Sequence, residues 1–413
     1  MKRILIGVTF LIGFLPSRAI CDDSFSVGGY MKSFFVTSDF PFENYETRVA
    51  LKDRLRLEMF WKPTEWIAFE SAYDFSVKYQ HPTLLEEPQA FEFTGERAYR
   101  IEDFKRRLFP SDEDSSVQIG VFHNLDRAVL ILSSSFFDLN LGRQAIAWGS
   151  ARVVNPTDVI VPFAYNELDT EERPGVDAIR ARFPLGLMGE YDIGYIWGEK
   201  SKFNHSAYYH RCRLYAWGTD FSALMMVFKK NFIGGIDVTG SIGGAGIWLE
   251  GAYNFSRALD DNSQDGTDDY FRTSIGMDYV FSDGTYTFLE YHFNQAGTSE
   301  PGEYLYELST PPYTDGAVFL MGRHYLAPGV TYQITPLIVF SGQALVNIND
   351  LSLLFTPQIE YNITQNMYIS AGTFNGIGKE PEAAQQGLLP TGEPQSEFGS
   401  YPDIYYASFR YYF

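Results

Sequence analysis

The chain has 413 residues, a formal net charge of −20 and an aromatic content of 17%, with 28 Tyr and 35 Phe. This negative net charge argues against nucleic acid as a partner, because phosphate binding needs a basic surface. The 2 cysteines exclude a disulfide framework. No segment approaches the roughly 18 consecutive apolar residues of a transmembrane helix.

The N-terminus has a basic head, Met1-Lys-Arg, followed by an apolar run to Leu15. This run is too short to span a membrane as a helix and is typical of a secretory signal peptide. Small residues favour cleavage after Ala19, with cleavage after Cys21 as the alternative. We therefore predict an exported protein in which residues 1–19 are the signal peptide and residues 22–413 form one domain.

The most distinctive stretch of the sequence is 138–180. Leu141 has the parity of an outward-facing strand residue, and Arg143 falls on the same face. A bulge at Gly142 would turn Arg143 into the interior, and glycine suits such a bulge. Trp148 follows where the strand would leave the membrane, so we expect it in an external aromatic belt.

This stretch also carries a series of short motifs, which are Gly142-Arg143-Gln144, Trp148-Gly149, Asn155-Pro156, Asp158 and Arg173-Pro174-Gly175. The series resembles a largely uncharacterised family of proteobacterial porin-like outer-membrane barrels. That family is marked by a Gly-Arg-Gln…Trp-Gly segment, an Asn-Pro-x-Asp loop and an acidic run ending in Pro-Gly. The resemblance implies a channel-like membrane protein and supplies no substrate.

Beyond residue 186, apolar and polar residues alternate over segments long enough to cross a bilayer as tilted strands, at 187–197, 247–255, 271–281 and 353–363. The polar parity includes acids that cannot face hydrocarbon. These acids are expected to face a water-containing interior, and they are Glu190, Asp192, Glu250, Asp278, Glu290 and Glu360.

The chain ends on a strand whose aromatic residues Tyr405, Phe409, Tyr411 and Phe413 share one parity. An exposed edge of this kind would recruit other chains, whereas closure into a barrel removes the edge. The pattern resembles the closing strand of Gram-negative outer-membrane barrels, whose terminal Phe is read by the barrel assembly machinery. We therefore expect these four residues, with Trp148, to contact the membrane interface or that machinery.

Short turns at 184–186, 282–284 and 335–336 alternate with long loops at 256–269, 295–316 and 376–400. In outer-membrane barrels the long loops are external and the short turns periplasmic. The sequence therefore predicts an all-β fold, a transmembrane antiparallel up-and-down barrel of about 18 strands, within a range of 16 to 20, with both termini in the periplasm.

The segment 148–175 is long enough either to stay outside or to fold into the barrel and narrow it. Folded inward, its acids would oppose wall arginines and create a transverse field that orients polar solutes. Alternatively, the arginines pair with interior acids and only stiffen the barrel. The candidate acids are Glu167, Asp169, Glu171 and Glu172, and the candidate arginines are Arg54, Arg56, Arg143, Arg152, Arg180, Arg182, Arg211 and Arg213.

Catalytic interpretations have less support. Glu290 and His292 share the inward parity and would suit an acid–base pair, but such a pair in a polar lumen is usually a satisfied hydrogen bond. The segment Asp260–Asp269 is rich in oxygen ligands and lacks the bidentate Glu of a calcium loop, so a solvated loop is the default interpretation. We predict no enzyme, no cofactor and no metal.

The predicted function is a porin-like channel in the outer membrane of a Gram-negative bacterium, passing small polar solutes by diffusion. The alternative is a non-conducting barrel that serves as a sheath for a periplasmic or surface partner such as a cytochrome, or as a surface receptor. Expected partners are outer-membrane lipid and lipopolysaccharide, the assembly machinery and a small polar solute. A homotrimer or a periplasmic partner is compatible with either function.

Overall fold

The computed structural model describes residues 20–22, 24–41, 47–81, 99–104, 106–110, 117–163, 165, 167–259, 269–382 and 393–413. The predicted signal peptide and all but the last residue of Asp260–Asp269 lie outside the described residues. Both therefore stay predictions.

Within the described residues, twenty strands form one antiparallel sheet. They are β1 (Ile20–Asp22), β2 (Phe25–Asp39), β3 (Arg48–Thr64), β4 (Ile67–His81), β5 (Arg107–Phe109), β6 (Ile119–Ser133), β7 (Asp138–Gln144), β8 (Val176–Leu185), β9 (Gly189–Ile196), β10 (Ala207–Ala216), β11 (Thr219–Phe228), β12 (Asn231–Ile242), β13 (Ala245–Phe255), β14 (Tyr270–Val280), β15 (Tyr286–Asn294), β16 (His324–Thr335), β17 (Ile338–Asn347), β18 (Leu353–Thr364), β19 (Met367–Ile377) and β20 (Asp403–Tyr412).

The helices within the described residues are short and lie in the loops. Two α-helices span Tyr304–Glu307 and Pro311–Thr314, and 3-10 turns span Glu199–Ser201, Phe203–His205, Pro301–Glu303 and Phe398–Ser400. No helix in the described part of the chain combines the length and apolarity needed to cross a membrane.

The sheet closes on itself because β2 pairs with both β3 and β20. Ser33 of β2 lies opposite Phe409 on one side and Asp53 on the other. The terminal Phe413 extends the closure, since its backbone N–H and C=O each bond to Gly29 at 3.0 Å. Apart from the three-residue strands β1 and β5, the closed ring has 18 strands, which confirms the predicted fold and strand number.

Most connections alternate in length as predicted; the exceptions are 229–230 and 348–352, which are short although they lie at the end with the long loops. The turns 65–66, 186–188, 217–218 and 365–366 are at one end of the barrel, and the connections 82–118, 145–175, 295–323 and 378–402 are at the other. Ile20, the first described residue, and the C-terminal Phe413 lie at the end with the short turns, which in outer-membrane barrels is the periplasmic end. The assignment of long external loops and short periplasmic turns is therefore confirmed.

The two faces of the strands differ as the alternation predicts. On β14, Ile275 and Met277 point outward and are 52% and 51% exposed, whereas Ser274 points inward and is fully buried. An outward face of exposed apolar side chains is stable against lipid rather than water.

The predicted bulge at Gly142 is absent, because the register between β6 and β7 is continuous there. Gly142 instead has a φ of +117°, and a Cβ at this position would collide with the carbonyl oxygen of Ala128. Glycine is needed here for a close approach of two backbones.

We expect a lysine on the outer face to be costly. Ile275→Lys should lower the free energy of unfolding in lipid by about 2–4 kcal/mol, because it moves an ammonium group into hydrocarbon. The control Ser341→Lys, on the inward face of β17, should change it by less than about 1 kcal/mol. Reversible urea unfolding in vesicles measures both, and equal losses would contradict the assignment of faces.

Candidate functional site: the inward segment 145–175

The connection between β7 and β8, residues 145–175, crosses the interior of the barrel; we call it the inward segment. Its first half contacts β12 to β15, and its second half contacts β2, β3, β6 and β20. Since β13 is the ninth strand after β3 in an 18-strand ring, these two groups of strands lie on opposite walls. The segment therefore crosses the lumen from wall to wall.

Glu250 of β13 holds the first half of the inward segment. Its Oε2 accepts hydrogen bonds from the backbone N–H groups of Ser150 and Ala151 at 3.1 Å each. Its Oε1 accepts from the backbone N–H and the hydroxyl of Thr157 at 2.9 and 2.7 Å. The carboxylate is completely buried, so these bonds replace its hydration.

Glu290 of β15 holds the next residues in the same way. Oε2 accepts from the backbone N–H of Arg152 at 2.7 Å and from the indole of Trp248 at 2.9 Å. Oε1 accepts from the N–H of Val154 at 2.9 Å, and the N–H of Val153 lies 3.3 Å from it. Five consecutive residues, 150–154, thus direct their N–H groups at two carboxylates, as in the anion-binding nests of other proteins.

This arrangement corrects one expectation from the sequence. Glu250, Glu290 and Asp192 have the predicted inward parity, but they are at most 1% exposed and do not face open water. The inward segment covers Glu250 and Glu290, and Arg180 and Tyr209 cover Asp192. Glu360, whose side chain is 31% exposed, does face an open interior as expected.

Gly149 permits the close packing at the start of this anchor. Its φ is +100°, and a Cβ would lie within 3 Å of the Asn155 side chain and of the Glu250 carboxylate. The Gly149 and Asn155 positions of the sequence motif are therefore explained by one tight contact.

The two ends of the motif also meet. Arg173 Nη1 lies 2.8 Å from Asp158 Oδ2 and donates to the carbonyl of Val161. Burial raises the pKa of Asp158 to about 6, against the opposing effect of Arg173. This ion pair braces the inward segment internally.

The acidic run in the second half of the inward segment reaches the closing strands. Asp169 lies 2.8 Å from Lys32 Nζ and 3.1 Å from Arg54 Nη1. Burial opposes ionisation of Asp169, but Lys32 and Arg54 outweigh it and hold its pKa below the usual value. Glu171 lies 2.7 Å from Lys32 Nζ and accepts from the Tyr412 hydroxyl. One acidic run therefore ties β2 to β20 from inside.

Glu172 lies farther from its partners, 3.8 Å from Arg56 and 3.6 Å from Arg127. Glu167 is partly buried in the same run. Lys32 and Arg127 were missing from the sequence-based candidates, although their inward parity could have indicated them.

Five of the arginine candidates have close carboxylate partners. The pairs and their N–O distances are Arg54–Asp74 at 2.9 Å, Arg56–Asp126 at 3.0 Å, Arg143–Asp177 at 2.7 Å, Arg152–Asp278 at 2.9 Å and Arg180–Asp192 at 2.6 Å. Arg143 is further enclosed by Asp103 and by the carbonyl of Leu125. Most candidate arginines are therefore neutralised where they lie.

The exceptions are Arg182, Arg211 and Arg213, neighbours on β8 and β10. Arg182 reaches Asp138 only at 3.9 Å, and Arg211 donates to the Ser222 hydroxyl at 2.9 Å. Within the described ranges neither Arg211 nor Arg213 forms an ion pair. The Nε atoms of Arg182 and Arg213 are buried without a hydrogen-bond partner, and both side chains line a cavity of about 190 Å³.

The expectation for Trp148 is wrong. Its side chain is 6% exposed and packs edge-on against Tyr209 inside the barrel, with ring centroids 4.6 Å apart. The chain turns inward directly after β7, so this indole never reaches the outer surface. Tyr405, at 44% exposure, lies on the outer face as expected.

Phe409 and Tyr411 of β20 share the parity of Tyr405, and Phe413 ends the same row. All three are partly exposed.

Glu290 and His292 have separate partners. The Glu290 carboxylate binds the inward segment, whereas His292 Nδ1 lies 2.8 Å from the Ser274 hydroxyl, which donates to the carbonyl of Val154. Neither group is presented to a solute.

A further buried carboxylate, that of Glu397, joins three external loops and was not found from the sequence. Glu397 accepts from the N–H of Met321 at 2.9 Å, the Tyr325 hydroxyl at 2.5 Å and the Asn347 amide at 2.8 Å. Its own N–H donates to Asp350 at 2.7 Å. Burial raises the pKa of Glu397 to about 7, outweighing the effect of these donors.

Together, the closed ring and the lumen-crossing segment define the class of the protein, an outer-membrane β-barrel with a porin-like fold. No family model and no curated protein matches the sequence.

Solved structures do match the fold. Acinetobacter baumannii OccAB2 is similar with a TM-score of 0.58 and 10% identity over 95% of this chain and 98% of that one. A. baumannii OccAB4 gives a TM-score of 0.56 and 10% identity over 94% and 98%. The outer membrane protein OpdK of Pseudomonas aeruginosa gives 0.55 and 7% identity over 95% and 99%.

We expect Glu290→Gln to loosen the inward segment, because hydrogen bonds to a charged acceptor contribute about 1.5–3 kcal/mol and a neutral amide accepts more weakly. Amide hydrogen exchange at Val153 and Val154 should accelerate about tenfold or more. Glu360→Gln is the control, since Glu360 pairs with Arg410 and not with the segment. Unchanged exchange in the first variant would contradict the anchoring role.

A second prediction concerns pH. The folded pKa of Glu397, about 7, exceeds its unfolded value of 4.5, so its stabilising effect is complete below 4.5 and is lost as the pH rises through 7. Protection of the Met321 amide, corrected for intrinsic exchange, should fall over this window by on the order of 3 kcal/mol.

Glu397→Gln should abolish that pH dependence. Glu382→Gln, at an exposed acid in the same loop, should preserve it. A pH dependence that survives in Glu397→Gln would assign it to another group.

Proposed function

We propose that the protein is a porin-like outer-membrane channel through which small polar solutes diffuse, with selectivity set by the interior charges and the inward segment. The observation that carries the proposal is the wall-to-wall anchoring of residues 145–175, because a fixed crossing segment converts a wide barrel into a narrow passage.

The charges left exposed in the interior support a preference for anions near β8 and β10. Elsewhere arginine and carboxylate groups form close pairs, but Arg182 reaches Asp138 only at 3.9 Å, and within the described ranges neither Arg211 nor Arg213 forms an ion pair. Asp138 and Glu190 line the same cavity as Arg182 and Arg213, so the charge there is only partly balanced. A guanidinium suits a carboxylate or phosphate oxygen pair. OpdK, one of the structurally similar proteins, has been crystallised with vanillate, a small carboxylate, and this supports a similar solute class.

A non-conducting barrel is the second candidate, and a specific observation favours it. Apolar side chains of the inward segment, among them Ile146, Val159 and Ile160, pack in one cluster with inward-facing wall residues such as Leu224 and Met226. Such a packed interior is also compatible with a sheath or receptor function. Lipopolysaccharide and the assembly machinery stay proposed partners in both cases.

Planar-bilayer recordings of the refolded protein test the proposal. Discrete ohmic steps are expected from a channel, whereas silence from protein shown to be folded by circular dichroism would favour the second candidate.

Charge reversal then tests the arginines. Arg182→Glu and Arg213→Glu should each shift the zero-current potential in a KCl gradient toward cation preference, because each replaces a positive charge beside the passage with a negative one. Lys200→Glu is the control, with the same charge change at an external side chain that is 73% exposed. Normal conductance with unchanged selectivity in both arginine variants would remove these residues from the path.

A further inference from the structure

Two external loops reach down into the lumen and pack on the inward segment. From the loop between β15 and β16, Val318 belongs to the same buried cluster as Ile160 of the segment. Leu320 of that loop and Phe398 of the loop between β19 and β20 belong to a second cluster with Val154. All five side chains are at most 5% exposed, so water is excluded between the loops and the segment.

Glu397 joins the two loops to each other and to the wall. Its carboxylate accepts from the backbone N–H of Met321 in the other loop at 2.9 Å. It also accepts from the Tyr325 hydroxyl of β16 and the Asn347 amide of β17. One side chain therefore holds both loops in their inward position. We call the inward-lying parts of these loops the lid, which consists of residues 311–322 and 396–401.

A second carboxylate, that of Asp350, lies beside Glu397. The Asn347 amide nitrogen lies 2.8 Å from Glu397 Oε2 and 3.3 Å from Asp350 Oδ2. Asp350 Oδ2 also accepts from the Tyr304 hydroxyl at 2.8 Å and from the backbone N–H of Glu397 at 2.7 Å. Two carboxyl groups that share one amide disfavour simultaneous ionisation, because each negative charge raises the energy of the other.

The other groups around Glu397 do not offset this repulsion. In the described part of the chain, the titratable groups that face it are one carboxyl and five phenols, those of Asp350, Tyr165, Tyr304, Tyr313, Tyr325 and Tyr401. Two basic side chains of the same region have other partners. Arg272 donates to the carbonyl of Pro156, and His292 Nδ1 lies 2.8 Å from the Ser274 hydroxyl.

Ionisation of Glu397 therefore works against the closed lid. Burial raises the pKa of Glu397 to about 7 in the closed lid, against 4.5 for the solvated side chain. The closed lid thus binds the proton more tightly than an open lid would, and this advantage is lost as the pH rises from 4.5 through 7. The ratio of open to closed lid should change by about 10²-fold over this window.

We propose that the lid is a proton-controlled gate at the external entrance, closed on the inward segment while Glu397 and Asp350 hold one proton between them and open when both are ionised. The inward segment stays in place when the lid opens, because Glu250 and Glu290 hold it from other strands. The effect on solute passage rests on the proposed channel function, whereas the movement of the lid does not.

Thiol labelling of the full-length protein in mild detergent tests the movement without reference to conduction. Ala317→Cys places a thiol in the lid, where the wild-type side chain is 1% exposed, and Ser309→Cys places one at an exposed position of the same loop. Both are made in a background in which Cys21 and Cys212 are replaced by alanine. The rate of labelling by a water-soluble maleimide at position 317 is divided by the rate at position 309, which cancels the ordinary effect of pH on thiols. This ratio should rise by about 10²-fold between about pH 5 and pH 8.5.

Glu397→Gln keeps a neutral hydrogen-bonding group in place, so the labelling ratio should stay low at both pH values. Glu382→Gln is the matched control, at an exposed acid in the loop between β19 and β20, and it should keep the wild-type rise. A wild-type ratio that does not change with pH would overturn the proposal, as would a rise that survives in Glu397→Gln.

If Glu397→Gln does not fold, Asp350→Asn replaces it. This change removes the neighbouring negative charge, which contributes to the raised pKa of Glu397, and should therefore reduce the rise in the labelling ratio. An undiminished rise in Asp350→Asn would count against the acid pair as the control element.

Single-channel recordings at the same two pH values separate this inference from the proposed channel function. Wild-type conductance should be larger at the higher pH, and Glu397→Gln should keep the smaller conductance at both. If the thiol becomes accessible but neither pH gives any conductance, the lid movement stands and the channel function fails. If the protein conducts but neither conductance nor labelling responds to pH, the channel function stands and the lid inference fails.

Discussion

The architecture of the interior depends on buried carboxylates that accept hydrogen bonds from backbone N–H groups. Glu250 and Glu290 reach across the lumen to residues 150–157, and neither carboxylate has a cation as its main partner. A buried carboxylate without donors would cost several kcal/mol, and a buried backbone without acceptors would be similarly unfavourable. The buried carboxylates and the backbone N–H groups of residues 150–157 therefore supply each other's hydrogen-bond partners. These bonds fix the position of the inward segment.

The second half of the inward segment is held by ion pairs between side chains. These pairs also connect the segment to the strands that close the ring. Asp169 and Glu171 bind Lys32 of β2, and Glu171 also binds Tyr412 of β20, so the segment holds together the first and last long strands of the ring. A change in the acidic run would therefore alter both the position of the inward segment and the stability of the contact between β2 and β20. Arg182 and Arg213, to which we assign charge selectivity in the proposed function, lie elsewhere on the wall and line a separate cavity.

The strands could be predicted from the sequence for a physical reason. Each strand contacts lipid on one side and the interior on the other, so a period of two is imposed along its whole length, and turn length shows the direction of each strand. The candidate site, the inward segment and its partners on the wall, could be predicted only in part. The acids and arginines on inward parity were found, but Trp148 was assigned to the outer belt because a local pattern cannot show that the chain turns inward after β7.

The sequence by itself determined the alternation of faces, the direction and approximate number of the strands, and the inward parity of Glu250 and Glu290, because these depend on neighbours within a few residues. Only the tertiary structure decided which residues the inward-facing side chains contact. Glu290 and Val154 are 136 positions apart, and Glu171 and Tyr412 are 241 apart. No local pattern specifies such contacts, since they arise when a closed ring brings one crossing segment against opposite walls.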